Sequence, residues 1–204
     1  MKKDLSTFIN RTPRLIGEEN FFKAAVLIAL IENGEDYDVL FEVRSNQIPD
    51  QPGDVCFPGG AIESGESYEE AAVRETCEEL LIKPEQIKII GASDILHIRN
   101  MIIYPYVGLL TDYQGSFSQK EVAEVFRVPL NFFRETEPDR YFVEAMAQPE
   151  EGFPYELIQG GRKYQWRVLK TEELFYQYEG HVIWGLTARM LKAFLEILDK
   201  VIQD

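Results

Sequence analysis

The sequence predicts an α/β fold, a mixed β-sheet held between helices. Three observations predict it. Ala24 to Ile31 is a continuous apolar run that suits a fully buried strand; a helix-patterned segment, Ser67 to Leu81, lies between strand-patterned segments; and an amphipathic helix, Leu186 to Ile202, follows near the end. With 204 residues, 45% hydrophobic and 27% charged, the chain is long enough to bury a sizeable core. The expected organisation is a single domain over 1–204, with 1–20, broken by Pro13 and Gly17, as an N-terminal arm lying on it.

In order along the chain, Ala24–Ile31 (AAVLIALI) reads as a strand, and Asn33-Gly34 as a turn signal. Tyr37–Arg44 reads as the next strand, so the pair forms a hairpin with a longer loop. Ser45–Gly60 is a loop rich in breakers: Pro49, Pro52, Gly53, Pro58, Gly59 and Gly60. Ser67 is the expected N-cap of the following helix, with Glu70 completing a capping box and Pro84 stopping the chain beyond it. Ile87–Ala92 and Met101–Leu110 read as strands. Glu121–Phe133 reads as a short helix or turn leading into Val128-Pro129-Leu130. Tyr155–Ile158 and Tyr164–Leu169 flank Gly160-Gly161 as an expected hairpin. Leu191, Phe194, Leu195, Leu198 and Ile202 form the apolar stripe of the last helix.

A formal net charge of −14 disfavours nucleic acid as a partner, because like charges repel. It leaves room for a small phosphorylated substrate, since clustered carboxylates recruit a divalent cation that then meets the phosphates. No stretch approaches the ~20 apolar residues of a membrane span, and MKKDLSTFIN lacks the apolar centre of a signal peptide, so the expected location is cytoplasmic, with no membrane contact. Cys56 and Cys77 belong to no CxxC or Cys/His cluster; both read as packed residues rather than zinc ligands. His97 and His181 are lone histidines, read as satisfied or solvent-facing.

The chemistry concentrates in Gly60–Ile82, GAIESGESYEEAAVRETCEELLI. At about 100° per residue, Glu75, Glu78 and Glu79 fall within one arc, while Val73, Thr76, Cys77 and Leu80 fall opposite. A solvated acidic face softened by Arg74 is the ordinary reading of such a helix. The Gly-rich loop before it, carrying its own Glu66, favours a second one: hard carboxylate oxygens suited to Mg²⁺ or Mn²⁺.

These residues resemble the Nudix box, G-x5-E-x7-R-E-U-x-E-E-x-G-U, with Gly60, Glu66, Arg74, Glu75, Glu78, Glu79 and Ile82 in register. Thr76 departs from the first apolar position, and Leu81 replaces the terminal glycine, which implies a different helix exit or one more helical residue. The resemblance implies the Nudix α/β/α sandwich. It implies Glu75, Glu78 and Glu79 as metal ligands, joined by the Gly60 carbonyl and by Glu66, which supports the loop or reaches the metal through water. Arg74 would orient Glu75, and Glu75, Arg74 and Glu78 form the catalytic group. The general base is Glu75 or a glutamate outside the box, with Glu121, Glu124 and Glu144 available. A homodimer is the assembly common in this superfamily.

Upstream, LFEVRSNQIPDQPGDVCFPGG resembles the pattern of the coenzyme A diphosphatase branch through Arg44, Ser45, Gly53, Phe57, Pro58, Gly59 and Gly60. Glu42 stands where that pattern has threonine, and Pro49 where it has a second arginine. Val182–Ala188 and Val128-Pro129-Leu130 resemble further segments of the branch; core packing and helix capping account for Trp184 and Thr187. The branch implies hydrolysis of coenzyme A or acyl-coenzyme A to (acyl-)4′-phosphopantetheine and adenosine 3′,5′-bisphosphate, with Arg44 and Ser45 as substrate-binding residues. ADP-ribose or NADH hydrolysis, and a nucleotide-binding module without catalysis, are the competing readings.

Overall fold

The computed structural model describes residue 9 and residues 11–202. Of the expected arm, residues 1–8 and 10 lie outside the described residues; residues 11–16 are exposed without regular structure, and Glu18–Asn20 form one 3-10 turn.

The chain forms β1 (Phe22–Asn33), β2 (Asp36–Arg44), β3 (Val55–Cys56), β4 (Gly59–Ala61), α1 (Tyr68–Leu80), β5 (Ile87–Ala92), β6 (Leu96–Ile98), β7 (Met101–Leu110), β8 (Val122–Pro129), α2 (Leu130–Glu135), β9 (Asp139–Met146), β10 (Val168–Tyr178), β11 (His181–Trp184) and α3 (Gly185–Ile202). The main sheet runs β3-β2-β1-β7-β5, with β4 also on β1, β6 on β7 and β8 on β2. The β1–β7 pair is parallel and the other pairs are antiparallel, so the sheet is mixed as expected. A smaller antiparallel sheet runs β11-β10-β9.

β1 is buried from Ala24 to Ile31 because both its faces are covered. Ala25, Leu27, Ala29 and Ile31 face α1, with Leu40, Ala71, Ala72 and Leu80. Val26, Ile28 and Leu30 face the other layer, where Phe41, Leu174, Ile183, Leu191 and Phe194 join α3 and the smaller sheet to one core. Leu27 and Ile28 are fully buried, and each such side chain contributes about 2–3 kcal/mol of transfer free energy.

Several elements differ from the sequence reading. The β1–β2 turn is tight, not long: Asn33 pairs with Asp36. Residues 122–129 are a strand, not a helix or turn, because they pair along β2 from Asp38 to Arg44, with Phe126 and Val128 packed on one face and Val125 on the other; the short helix begins only at Leu130. No hairpin forms around Gly160-Gly161; Tyr155–Leu157 and Gly161–Lys163 are 3-10 turns, and the hairpin strands are β9 and β10. Trp184 is not core: it is 41% exposed and stacks on Phe175. Thr187 is buried, but its hydroxyl donates to the Val55 carbonyl at 2.9 Å, tying α3 to β3 rather than capping the helix. In α3, Leu191, Phe194 and Leu195 are buried as expected; the side chain of Ile202 lies outside the described residues.

Ser67 caps α1 with a full capping box: its hydroxyl accepts from Glu70 N–H at 3.2 Å, and the Glu70 carboxylate accepts from Ser67 N–H at 2.7 Å. The helix does not run on past Leu80. Leu81 adopts the left-handed conformation, φ 53° and ψ 44°, that the family glycine would take, and Ile82 N–H returns to the Cys77 carbonyl at 3.2 Å. The exit is thus conserved in shape at the cost of about 1 kcal/mol of strain on a β-carbon-bearing residue. Leu81 is 60% exposed, so little burial offsets it. Leu81→Gly is therefore expected to stabilise the protein by up to about 1 kcal/mol, the gain in the folded state being partly cancelled by glycine's freer unfolded chain. Thermal melting checks this; a lower melting temperature would mean that the leucine side chain anchors the cap.

Candidate active site

The site forms where the sheet splits. β2 pairs with β1 only from Val39 back to Asp36, then pairs with β3 at Glu42 and Val43. β4 takes the vacated edge of β1 at Ala24–Val26, and Leu27 N–H bonds the Pro58 carbonyl at 2.8 Å. The Cys56–Gly60 segment therefore wedges between strands, directly under α1.

Two glycines make the wedge fit. Gly59 has φ 149°, and a β-carbon there would collide with the Ala25 carbonyl oxygen and the Val26 backbone. A β-carbon on Gly60 would lie 2.5 Å from the Glu75 carboxyl carbon, so the Glu75 carboxylate rests over the Gly60 backbone.

Arg74 gathers the acidic groups. Its guanidinium makes a two-point bond to Glu66, Nε to Oε2 at 3.1 Å and Nη2 to Oε1 at 2.9 Å. Nη2 also donates to the Ala61 carbonyl at 3.0 Å, and Nη1 lies 3.0 Å from Glu75 Oε1 and 3.5 Å from Glu78 Oε1. Arg74 thus touches Glu75 as expected, and it also ties the loop and β4 to the helix. Glu66 accepts from Glu63 N–H as well, and these bonds, Arg74's first, hold its carboxyl below the usual range. Glu66 faces Arg74 and supports the loop.

The helix faces differ from the expected division. Glu79 does not share an open face with Glu75 and Glu78; on the helical wheel it falls between Glu75 and Ala72, and it is buried with Ala72, Thr76 and Leu80. Its Oε2 accepts from Gly59 N–H at 2.7 Å. Glu75 is half-buried at the edge of this face, and Glu78 is exposed. Burial raises the Glu75 carboxyl, with Arg74 opposing, and raises Glu79 against the pull of the Gly59 N–H.

The sequence reading did not assign Glu42 to the site. It alternates along β2 with Leu40, onto the α1 side, and is 1% exposed beside Glu79. Burial, then the Glu79 charge, pushes its carboxyl well above the usual range; Arg44 offsets this only in part. The available signal was a glutamate inside an otherwise apolar strand, at the position where the branch pattern has threonine.

The remaining residues fall around this centre. Arg44 Nε donates to the Asp50 carbonyl at 3.1 Å, at the neck of the 45–53 loop. Ser45 is buried, and its hydroxyl accepts from Gln47 N–H at 3.2 Å, which gives it a turn-holding part. Cys56 is partly buried, and burial pushes its thiol up, as suits a packed residue. Of the outlying glutamates, Glu121 lies close enough for its charge to raise Glu42, Glu75 and Glu79. Glu124 bonds His181 at 3.2 Å, and Glu144 is exposed on β9. His181 stacks on Phe126, and His97 on Phe21.

Among the described residues, no three acidic, histidine or cysteine side chains are already drawn around one point as a bound metal would draw them. The donor chemistry nevertheless fits a hard divalent cation. Glu42 and Glu79 are buried side by side, and Glu42 Oε1 has no hydrogen-bond partner among the described residues.

The NUDIX domain family matches residues 21–146, which hold the whole of this arrangement. The chain belongs to the NUDIX family of hydrolases. It is 32% identical over 155 residues to the peroxisomal coenzyme A diphosphatase NUDT7 of Mus musculus, covering 68% of this chain and 64% of that protein, so it spans less than two thirds of that relative. It is 30% identical over 192 residues to the uncharacterised Nudix hydrolase NudL of Citrobacter koseri, covering 92% and 89%. Among solved structures it is similar to a C. elegans Ap4A hydrolase binary complex, with a TM-score of 0.47 and 22% identity over 56% of this chain and 84% of that one. No helix among the described residues is long and apolar enough to cross a membrane.

The two glycines separate fold from chemistry. Gly59→Ala meets backbone and is expected to cost several kcal/mol, about 3 or more. Gly60→Ala meets only the tip of Glu75, which swings aside, so melting should change by less than about 1 kcal/mol while diphosphate hydrolysis falls about a hundredfold through misplacement of that carboxylate. Melting curves beside turnover rates check both; an active Gly60→Ala variant would show that the placement of Glu75 is not critical.

Proposed function

We propose that this Nudix chain hydrolyses the diphosphate bond of coenzyme A or acyl-coenzyme A in a divalent-cation-dependent reaction. The observation that carries the hydrolytic part is the Arg74-centred carboxylate set resting on Gly59 and Gly60. The coenzyme A part is supported by the Arg44–Gly60 pattern and by the name borne by the mouse relative. Residues 147–202 belong with the Nudix region as one folding unit, because Leu174, Ile183 and Leu191 share a core with Val26 and Phe41.

In this reading Glu75, Glu78 and Glu79, with the Gly60 carbonyl, hold the cation, Mg²⁺ or Mn²⁺. When bound, that ion screens the phosphate charge and stabilises the negative charge developing at phosphorus. Arg74 fixes the Glu75 carboxylate through Nη1, and Glu66 fixes Arg74 in turn. Glu75 or Glu121 takes the proton of the attacking water. The water oxygen bonds one phosphorus, and the bridging oxygen leaves with the other phosphate. Arg44, at the neck of its loop, faces the substrate phosphates; Ser45 holds the loop that presents it. Pro49, in place of a second arginine, favours keeping ADP-ribose and NADH as the second reading.

The test is product analysis by liquid chromatography and mass spectrometry after incubation with Mg²⁺ or Mn²⁺ and, separately, coenzyme A, ADP-ribose and NADH. Release of adenosine 3′,5′-bisphosphate much faster than cleavage of the other two is the expected result. Preference for ADP-ribose or NADH would keep the chemistry and replace the substrate. Glu78→Gln, nearly isosteric and on an exposed position, is expected to keep its melting temperature and lose at least about tenfold in rate. Unchanged turnover at saturating Mg²⁺ would remove Glu78 from the cation site.

A further inference from the structure

Five polar or charged residues are buried in the described structure: Glu42, Ser45, Thr76, Glu79 and Thr187. Four have partners. Ser45 accepts from Gln47 N–H, Thr76 donates to the Ala72 carbonyl at 2.7 Å, Glu79 accepts from Gly59 N–H, and Thr187 donates to the Val55 carbonyl. Glu42 alone among them keeps an oxygen, Oε1, with no hydrogen-bond partner among the described residues. Burying an unpaired carboxylate costs several kcal/mol, far more than the threonine of the branch pattern at this position would cost. Its backbone is fixed by pairing with Cys56, and strand alternation aims the side chain at α1 rather than at the α3 layer. Glu79 comes down from the helix to meet it. Two carboxylates so placed need something positive between them, and the nearest cationic side chain, Arg44, has its Nε committed to the Asp50 carbonyl.

We propose that Glu42 is an additional metal-binding residue of this chain: its free oxygen and the Glu79 carboxylate together receive a divalent cation on the sheet side of α1. The inference rests on reading the α1 carboxylates as a cation site and extends that site by a ligand from β2. The strand contribution places the cation between two layers of the fold, so binding it also clamps α1 to the split in the sheet. Metal uptake should then stabilise the protein without any substrate, by mass action on the folded state.

The experiment uses the full chain, stripped with chelator and titrated with Mn²⁺. Bound metal is read by electron paramagnetic resonance of the free ion, and the Mn²⁺-induced rise in melting temperature is read in parallel. Wild type is compared with Glu42→Gln, nearly isosteric, and with Glu42→Thr, the residue of the branch pattern. Both variants are expected to melt in chelator at or above the wild-type temperature, to bind Mn²⁺ about tenfold or more weakly or to lose one equivalent, and to lose most of the metal-induced rise. Variants that titrate like wild type and keep the full rise would overturn the proposal and leave a proton as the bridge between Glu42 and Glu79, with the α1 cation site intact. Variants that unfold in chelator would also overturn it, because Glu42 would then stabilise the metal-free fold. A wild type that takes up no Mn²⁺ would overturn both this proposal and the cation reading of α1.

Discussion

The Arg74 guanidinium holds the site together. One planar, permanently charged group bonds the Glu66 loop, the Ala61 carbonyl of β4, and the Glu75 and Glu78 carboxylates of α1. These parts come from three stretches of chain: the loop before α1, β4, and α1 itself. A lysine could not span them, because a point charge lacks the fork that meets Glu66 through Nε and Nη2 while Nη2 also reaches the Ala61 carbonyl and Nη1 the helix carboxylates. Half-burial of the Glu75 carboxylate is tolerable only with this partner, and resting that carboxylate on Gly60 is possible only without a β-carbon there.

The backbone carries an equal share. Helix α1 ends with exposed carbonyls that need donors, and the loop after β7 supplies them: Ser116 Oγ donates to the Leu80 carbonyl at 2.6 Å and Ser118 N–H to that of Glu79 at 2.7 Å. The same loop leads into Glu121, whose carbonyl accepts from Ser45 N–H at 2.8 Å. A closed circuit therefore runs from helix end to loop to the neck of the Arg44 segment. It brings Glu121 near the carboxylates, although no local pattern in the sequence marks that residue over Glu124 or Glu144.

Legibility followed the range of the interactions. The capping box of Ser67 and Glu70, the burial of β1 and the Glu75–Arg74 contact depend on residues close in sequence or on unbroken apolar runs, and they could be read directly. The β8 strand could not, because residues 122–129 mix charged and apolar residues and become a strand only by pairing with β2. The β9–β10 ribbon was hidden for a related reason: VLKTEELFYQY carries Lys170, Glu172 and Glu173 across both faces, so it lacks the clean alternation of a half-buried strand, while Gly160-Gly161 lies in a stretch of 3-10 turns. Leu81 shows the reverse case, a residue that breaks the motif while the backbone keeps the motif's shape, because the hydrogen bonds of the helix exit demand it.

The sequence by itself determined the family, the α/β class and the spacing of Glu66, Arg74, Glu75, Glu78 and Glu79, since these are properties of a continuous segment whose helical period is set by backbone geometry. Only the tertiary structure decided that Glu79 lies inside the buried face and Glu78 outside it, and that Glu42 arrives from another strand to stand against Glu79. A helical wheel gives angles between side chains but not the direction of the sheet. That direction is set by the burial of Ala72, Thr76 and Leu80 against β1, an interaction between segments some fifty residues apart whose geometry no local pattern records.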